Sequence, residues 1–338
     1  MMRRLSALMI IVAAGLLCPG RARAQQNMSK TPAYLTIGGF IDGQYTRDAD
    51  QNTFFIRRAR LSVTGDVTEH LEYKLQTEMA GGVRMIDAFV KCQFCDWLNL
   101  ELGQFKTPFT LESQYILLNK EGIDYAQAIS RLSGYNDPLP GNRTNGRDIG
   151  MMVYGNLLSC DGGTYPLLKY HVGVFNGSGI NRKDDNLSKD IIARIDIHPL
   201  MRNLVLSASL IRGTYADAVN PDAANHRYSF GGEYKDKALT LRSEYVRADI
   251  EAGGAVTSTD GFYVVAGWWL PFESSFRLRP VLRYDRLNTA GDSSVLYMTG
   301  LDCWPWSHLR LQAGYTLCTE VPAAARRHMF QAMASVKF

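Results

Sequence analysis

Three arginines stand close together in the run FRLRPVLRYD: Arg277, Arg279 and Arg283. On an extended chain alternate side chains share a face, so all three guanidinium groups lie on one side, about 6.8 Å apart from i to i+2. Arginine stays charged at any working pH and grips an oxyanion through two parallel N–H bonds. A row of such groups passes an anion along if each rung binds weakly enough to release it. The same row is equally well a charge network with Asp285, Glu244 and Asp302 on neighbouring strands. The spacing alone does not choose between these two readings. A second basic run, FFIRRARL over 54–61, puts Arg58 and Arg60 on one face with Ser62, opposite Ala59, Leu61 and Val63. Arg57 then falls on the apolar face unless a bulge resets the alternation.

Other chemistry-bearing types point nowhere as specific. Cys92 and Cys95 in KCQFCDW have metal-ligand spacing, but a structural zinc site needs four ligands, and there is no second C-x-x-C or nearby histidine pair to supply them. A redox C-x-x-C belongs at a helix N-terminus in a βαβ setting, and the surroundings here read as strand–turn–strand. If Gln93 and Phe94 form the turn, the two thiols face each other at a cross-strand distance a disulfide tolerates. The six histidines are scattered over separate segments, none within a nucleophile motif. GNRTNGR over 141–147 is too sparse for a phosphate-binding loop and no helix follows it. The sequence therefore predicts no catalytic centre, no metal and no cofactor.

The elements that must carry these residues have a period of two. Phe330, Ala332, Ala334, Val336 and Phe338 alternate with Gln331, Met333, Ser335 and Lys337, and the same rhythm recurs along the chain. About sixteen such segments are predicted, starting near residues 34, 53, 71, 83, 98, 148, 167, 190, 204, 227, 238, 260, 275, 294, 308 and 327. Most run about 8 to 12 residues, close to the ~9–11 of a tilted membrane strand. Charges such as Arg277, Arg279 and Arg283 do not fill a dry sandwich core, but they do line water. The expected fold is all-β, a transmembrane antiparallel β-barrel. With both ends on the periplasmic side, the odd-numbered connections face outward and include the long ones, 106–147, 177–189, 215–226 and 250–259; the even, periplasmic ones are short, except that 155–166 breaks the trend. All five tryptophans, at 97, 268, 269, 304 and 306, fall at the short-turn ends, where amphipathic rings suit a membrane interface.

At the N-terminus, Arg3 and Arg4 precede an apolar run over 7–17 and the small-x-small pattern Ala22-Arg23-Ala24. That order predicts a cleavable export signal over 1–24 and a single barrel domain over 25–338. Removing the signal removes four arginines and no acid, so the formal +4 disappears and 33 basic side chains face 33 acidic ones. Net charge then gives no ground for nucleic-acid binding.

FFIRRARL (54–61), DAFV (87–90) and LGQFKTPFTLES (102–113) resemble, in order and spacing, the phosphate-selective porin O and P family of Gram-negative outer membranes. The terminal Phe338 on an alternating strand resembles the C-terminal signal read by the barrel-assembly machinery. The resemblance implies a 16-stranded channel without enzymatic activity, a homotrimer set in outer-membrane lipid and lipopolysaccharide. It also implies that basic residues draw small inorganic or organic anions such as phosphate into the pore. The third outward connection is expected to fold inward as in general porins, with Lys106 at the constriction, although a lysine at a strand end is also readily solvated. The candidate anion-binding residues are Arg58, Arg60, Lys106, Arg131, Arg277, Arg279 and Arg283. A structural or adhesive barrel whose pore the long loop closes is the alternative.

Overall fold

The structure, a computed structural model, describes residues 35–139, 144–160, 165–199, 201–272, 276–321 and 325–338; the export signal expected over 1–24 lies outside them. Among the described residues the chain forms sixteen strands. They are β1 (Leu35–Arg47), β2 (Asn52–Thr68), β3 (Leu71–Glu78), β4 (Arg84–Cys95), β5 (Leu98–Lys106), β6 (Arg147–Cys160), β7 (Tyr165–Phe175) and β8 (Asp190–Ile197), then β9 (Leu204–Tyr215), β10 (Ala223–Lys235), β11 (Leu239–Ala252), β12 (Ala255–Trp268), β13 (Arg277–Thr289), β14 (Asp292–Trp306), β15 (Leu309–Val321) and β16 (Arg326–Lys337). Every strand pairs antiparallel with its sequence neighbours, and β1 pairs with β16, which closes the barrel.

Closure answers a physical demand. A sheet edge facing lipid would leave a row of unpaired N–H and C=O groups, each costing several kcal/mol, about 1–3 even by protein mutational data. The seam extends to the last residue: Gly39 N–H donates to the Phe338 carbonyl at 3.0 Å and Phe338 N–H donates back at 3.1 Å.

Strand alternation sorts the residues as the period-two reading expects. Outward-facing Leu241, Val264, Leu282, Leu301 and Leu311 are exposed, while their inward neighbours Arg242, Val265, Arg283, Asp302 and Arg310 are buried. Outward aromatics run from Phe54 through Tyr45 to Phe330 (ring centroids 4.7 and 6.3 Å apart) and from Phe262 through Tyr284 to Tyr297 (5.6 and 5.3 Å). Such rings anchor a barrel at the membrane–water boundary.

Four local expectations change. The strands reach 17 residues in β2, longer than the 8 to 12 expected. The connection expected to be long over 250–259 is a two-residue turn, Gly253-Gly254, with φ of 59° and 79°. Positive φ at both turn residues matches the right-handed strand twist, and glycine adopts it freely. The Cys92/Cys95 turn falls later, at Asp96-Trp97, because Phe94 is accommodated as a bulge and Cys95 pairs with Leu98. Both cysteines therefore lie on β4 and are free thiols, not a cross-strand staple. Finally, Trp97, Trp268 and Trp306 face outward as expected, but Trp304 is buried and Trp269 half-buried inside the barrel.

The seam yields a test. A Cβ at Gly39 would stand 2.3 Å from the Arg60 carbonyl oxygen and 2.7 Å from the Phe338 ring. Gly39→Val is expected to cut the yield of closed barrel severely, read as loss of the heat-modifiable band on gel electrophoresis, whereas Gly43→Val, which meets nothing within 4 Å, leaves that band intact.

Candidate functional site

The site is built by the connection between β5 and β6, residues 107–146. Pro108 ends β5 because it cannot donate to the ladder. The loop is cinched at its base by Thr107 N–H on the Gly146 carbonyl at 2.9 Å, and from there it lies against the inner wall of the barrel. It holds two 3-10 turns, at Glu112–Gln114 and Leu117–Asn119, and a short helix α1 (Gln127–Leu132).

One side of the loop is apolar. Ala128, Ile129 and Leu132 of α1 belong to one buried cluster with Val246, Ala248, Tyr263, Val265 and Val281 from β11, β12 and β13. These wall residues point inward, so this part of the lumen is a dry core and not a water channel. Burying each large apolar side chain there is worth roughly 1.5–3 kcal/mol.

The rest of the loop is held by charge. Glu121 accepts from Arg242 at 2.7 Å and from Arg279 at 2.9 Å. Arg279 and Arg310 share Asp302, at 2.7 and 2.9 Å, and both also donate to the Lys120 carbonyl. Arg283 pairs with Asp285 at 3.1 Å and donates to the Asp124 carbonyl at 2.7 Å. Arg227 holds the Leu132 carbonyl and Asp137. Across the lumen, Arg57 reaches the Asp124 carboxylate at 2.5 Å. A bulge makes this contact: Asp42 pairs with Arg58 but Gly43 pairs with Ile56, so Arg57 has no cross-strand partner and turns inward beside Arg58. The arginine row of β13 is therefore interrupted as an anion ladder. Arg279 and Arg283 are 1% and 5% exposed and are committed to the wall and loop, leaving Arg277 alone exposed.

Burial by itself would raise the Glu121 carboxyl, but Arg242 and Arg279 outweigh it and hold the group down to about 2. Arg57 likewise outweighs burial at Asp124 and holds it below the usual carboxylate range.

On the β2–β5 side the loop leaves a narrow cleft, lined by Arg58, Arg60, Lys106, Arg147, Tyr125 and Tyr135 among others. Here the sequence-predicted Arg58, Arg60 and Lys106 come together. Arg58 is paired with Asp42 at 2.9 Å, Arg60 with Glu78 at 2.8 Å and Arg147 with Asp87 at 2.5 Å. Lys106 donates to the Tyr115 carbonyl at 3.2 Å, and among the described residues no carboxylate pairs with it. Lys106 is thus the one basic side chain of the cleft without a carboxylate partner among the described residues. The Tyr125 and Tyr135 rings meet at 4.1 Å, and their buried hydroxyls have no acceptor elsewhere among the described residues. Arg131 is not part of this group; it sits at the end of α1 and, among the described residues, donates to the Asn136 carbonyl at 3.4 Å. A second small pocket sets Arg147 and Arg227 against Asp148 and Asp190. Among the described residues no cluster could hold a metal.

Sequence reasoning missed Arg147, Arg227, Arg242 and Glu121. Strand parity already aims Arg242 inward, but nothing in the spacing says that a loop carboxylate more than a hundred residues away will meet it.

Residues 37–157 match the family model described as "Phosphate-selective porin O and P". Comparison by sequence with curated proteins finds no match. Among solved structures, the chain is similar to an anion-selective porin from Comamonas acidovorans (13% identity, TM-score 0.69, covering 90% of this chain and 100% of that one). It is also similar to the trimer form of the outer-membrane protein OmpT of Vibrio cholerae (14%, 0.63, 90% and 99%) and to the outer-membrane channel DcaP of Acinetobacter baumannii (13%, 0.61, 92% and 99%). At these identities the likeness is one of fold alone.

The clamp has a pH signature. A carboxylate depressed to about 2 contributes stability that is full above its ordinary pKa of ~4.3 and is lost as pH falls from there toward 2. Glu121→Gln is expected to cost roughly 3 kcal/mol at neutral pH. It should also flatten the acid limb of the urea-unfolding profile in that window, and raise loop-opening noise in bilayer recordings.

Proposed function

We propose that this protein is an outer-membrane porin through which small anions diffuse past a constriction made by the inward loop, with an oxyanion resting place in the cleft of Arg58, Arg60, Lys106 and Arg147. It is a channel in this reading, not an enzyme. The observation that carries it is the pairing in that cleft: three guanidinium groups each paired with a carboxylate, and a half-buried lysine that has none among the described residues. An ammonium with a carbonyl as its partner keeps donors for a passing anion. The paired arginines pre-orient their remaining N–H groups. Because the wall and loop already bind most of the arginines to acids, attraction is modest, and a solute that binds weakly also leaves.

The partial match to the phosphate-selective porin model and the likeness in fold to a porin described as anion-selective support this reading. Placement in the outer membrane follows from the same likenesses and from the apolar outward face between aromatic rings. Lipid and lipopolysaccharide would surround that face, and the barrel-assembly machinery would read the strand ending at Phe338. A homotrimer is proposed by analogy with the trimer form of OmpT. Phosphate is proposed as one such anion. Arg279 and Arg283 act here as clamps on the loop, and Arg131 has no direct role.

A second reading has an observation in its favour. The loop is anchored to the inner wall on both sides, at Arg57 and at Arg279, and that suits a barrel closed by its own loop.

Single-channel recording under a KCl gradient separates the two. The expected result is stepwise conductance with an anion-selective reversal potential, reduced by added phosphate. Lys106→Gln should weaken the phosphate effect about tenfold, equivalent to ~1.4 kcal/mol. A cation-selective or unselective pore would sink the anion site and leave the channel. No conductance from folded barrels would favour the closed reading.

A further inference from the structure

The two inward tryptophans have a place of their own. Trp269 follows β12 and Trp304 lies on β14, at the short-turn end of the barrel, with ring centroids 4.9 Å apart at 44°. Three guanidinium groups gather on this pair. Arg277 stands 5.3 Å from the Trp269 centroid and 5.4 Å from that of Trp304. Arg279 stands at 4.8 and 5.2 Å, and Arg310 at 4.7 Å from Trp304. The electron-rich ring faces attract each cation, and Asp302 offsets the repulsion between Arg279 and Arg310.

Those two arginines are consumed by Asp302, Glu121 and the Lys120 carbonyl. Arg277 is different. It is the cross-strand partner of Trp304 and so faces the lumen, it is exposed, and among the described residues no carboxylate pairs with it. A guanidinium laid on an aromatic floor still offers its N–H edge, in the fork geometry that matches a carboxylate.

We propose that Arg277, Trp269 and Trp304 form a docking site for aryl carboxylates at the short-turn mouth, the end read as periplasmic. The carboxylate takes two N–H bonds from the edge of Arg277, and the flat ring lies on the indole surface that half-buried Trp269 leaves accessible. The site is separate from the Lys106 cleft and lies at the far side of the loop clamp. As a waystation for a solute it rests on the channel reading; as a binding site it does not.

The tryptophans themselves report binding. Folded protein in detergent is titrated at constant ionic strength with sodium benzoate, sodium acetate, sodium phosphate and neutral benzamide, following indole fluorescence. Saturable quenching by benzoate is expected, with affinity about tenfold above acetate and phosphate, equivalent to ~1.4 kcal/mol; benzamide should give none. Arg277→Gln should abolish the saturable phase, and Trp269→Leu should bring benzoate down to the level of acetate, with heat-modifiable migration certifying the fold of each variant. Benzoate no tighter than acetate, benzamide as effective as benzoate, or an unchanged Arg277→Gln titration would each overturn the proposal. Bilayer recording of the same preparation separates the two readings. Conductance without benzoate binding sinks this site alone, whereas benzoate binding in a non-conducting barrel upholds the site and sinks the channel.

Discussion

A guanidinium group removed from bulk water must find acceptors, and this barrel removes many of them. Strands β11, β13 and β15 aim Arg242, Arg279 and Arg310 at the same region of the lumen. The wall alone supplies Asp302 and Glu233. Stranding a buried charge costs several kcal/mol, so the remaining donors require a further source of oxygen. The loop between β5 and β6 is that source. Glu121 bridges two of the arginines, and the Lys120 carbonyl serves two as well. Where the loop lies, what it covers and what it leaves open all follow from satisfying those groups.

The result is an asymmetric lumen. Against β11–β13 the short helix and the wall make a dry apolar contact, which excludes water and strengthens the neighbouring ion pairs. Against β2–β5 the loop is tied more lightly, chiefly through Arg57 and Asp124, and a cleft remains. Counting arginines is therefore a poor guide to how such a pore treats anions. What matters is which cations are left over once the paired ones are accounted for. Lys106 at the cleft and Arg277 at the short-turn mouth are two such groups, one on each side of the clamp.

A single extra residue in β2 links the two sides. Without the bulge, Arg57 would point at lipid, and Asp124 would sit in the lumen without its guanidinium partner. Bulges re-aim side chains at sites where alternation alone gives the wrong face, and here the bulge converts one outward arginine into the loop's second anchor.

Much of this was legible in the chain. Alternation is a local property with a period of two, so the sixteen strands, their starts and the inward aim of Arg58, Arg60, Arg279 and Arg283 could be read without knowing any neighbour. Parity would also have placed Trp304 inside, two residues on from Asp302, and set Trp269 opposite Trp268; compositional reasoning about membrane belts obscured that signal. Turn positions were less secure. A bulge at Phe94 moved one turn by three residues and separated the role of Cys95 from that of Cys92. The meeting of Arg279 with Glu121, 158 residues apart, was not in the sequence in any readable form. Which carboxylate neutralises which arginine depends on how a 40-residue loop folds back across a closed barrel, and on which groups are dry once it has done so. The sequence determined the strands and the sign of every charge, because both are local. Only the tertiary structure decided which charges cancel, because cancellation depends on distance and burial.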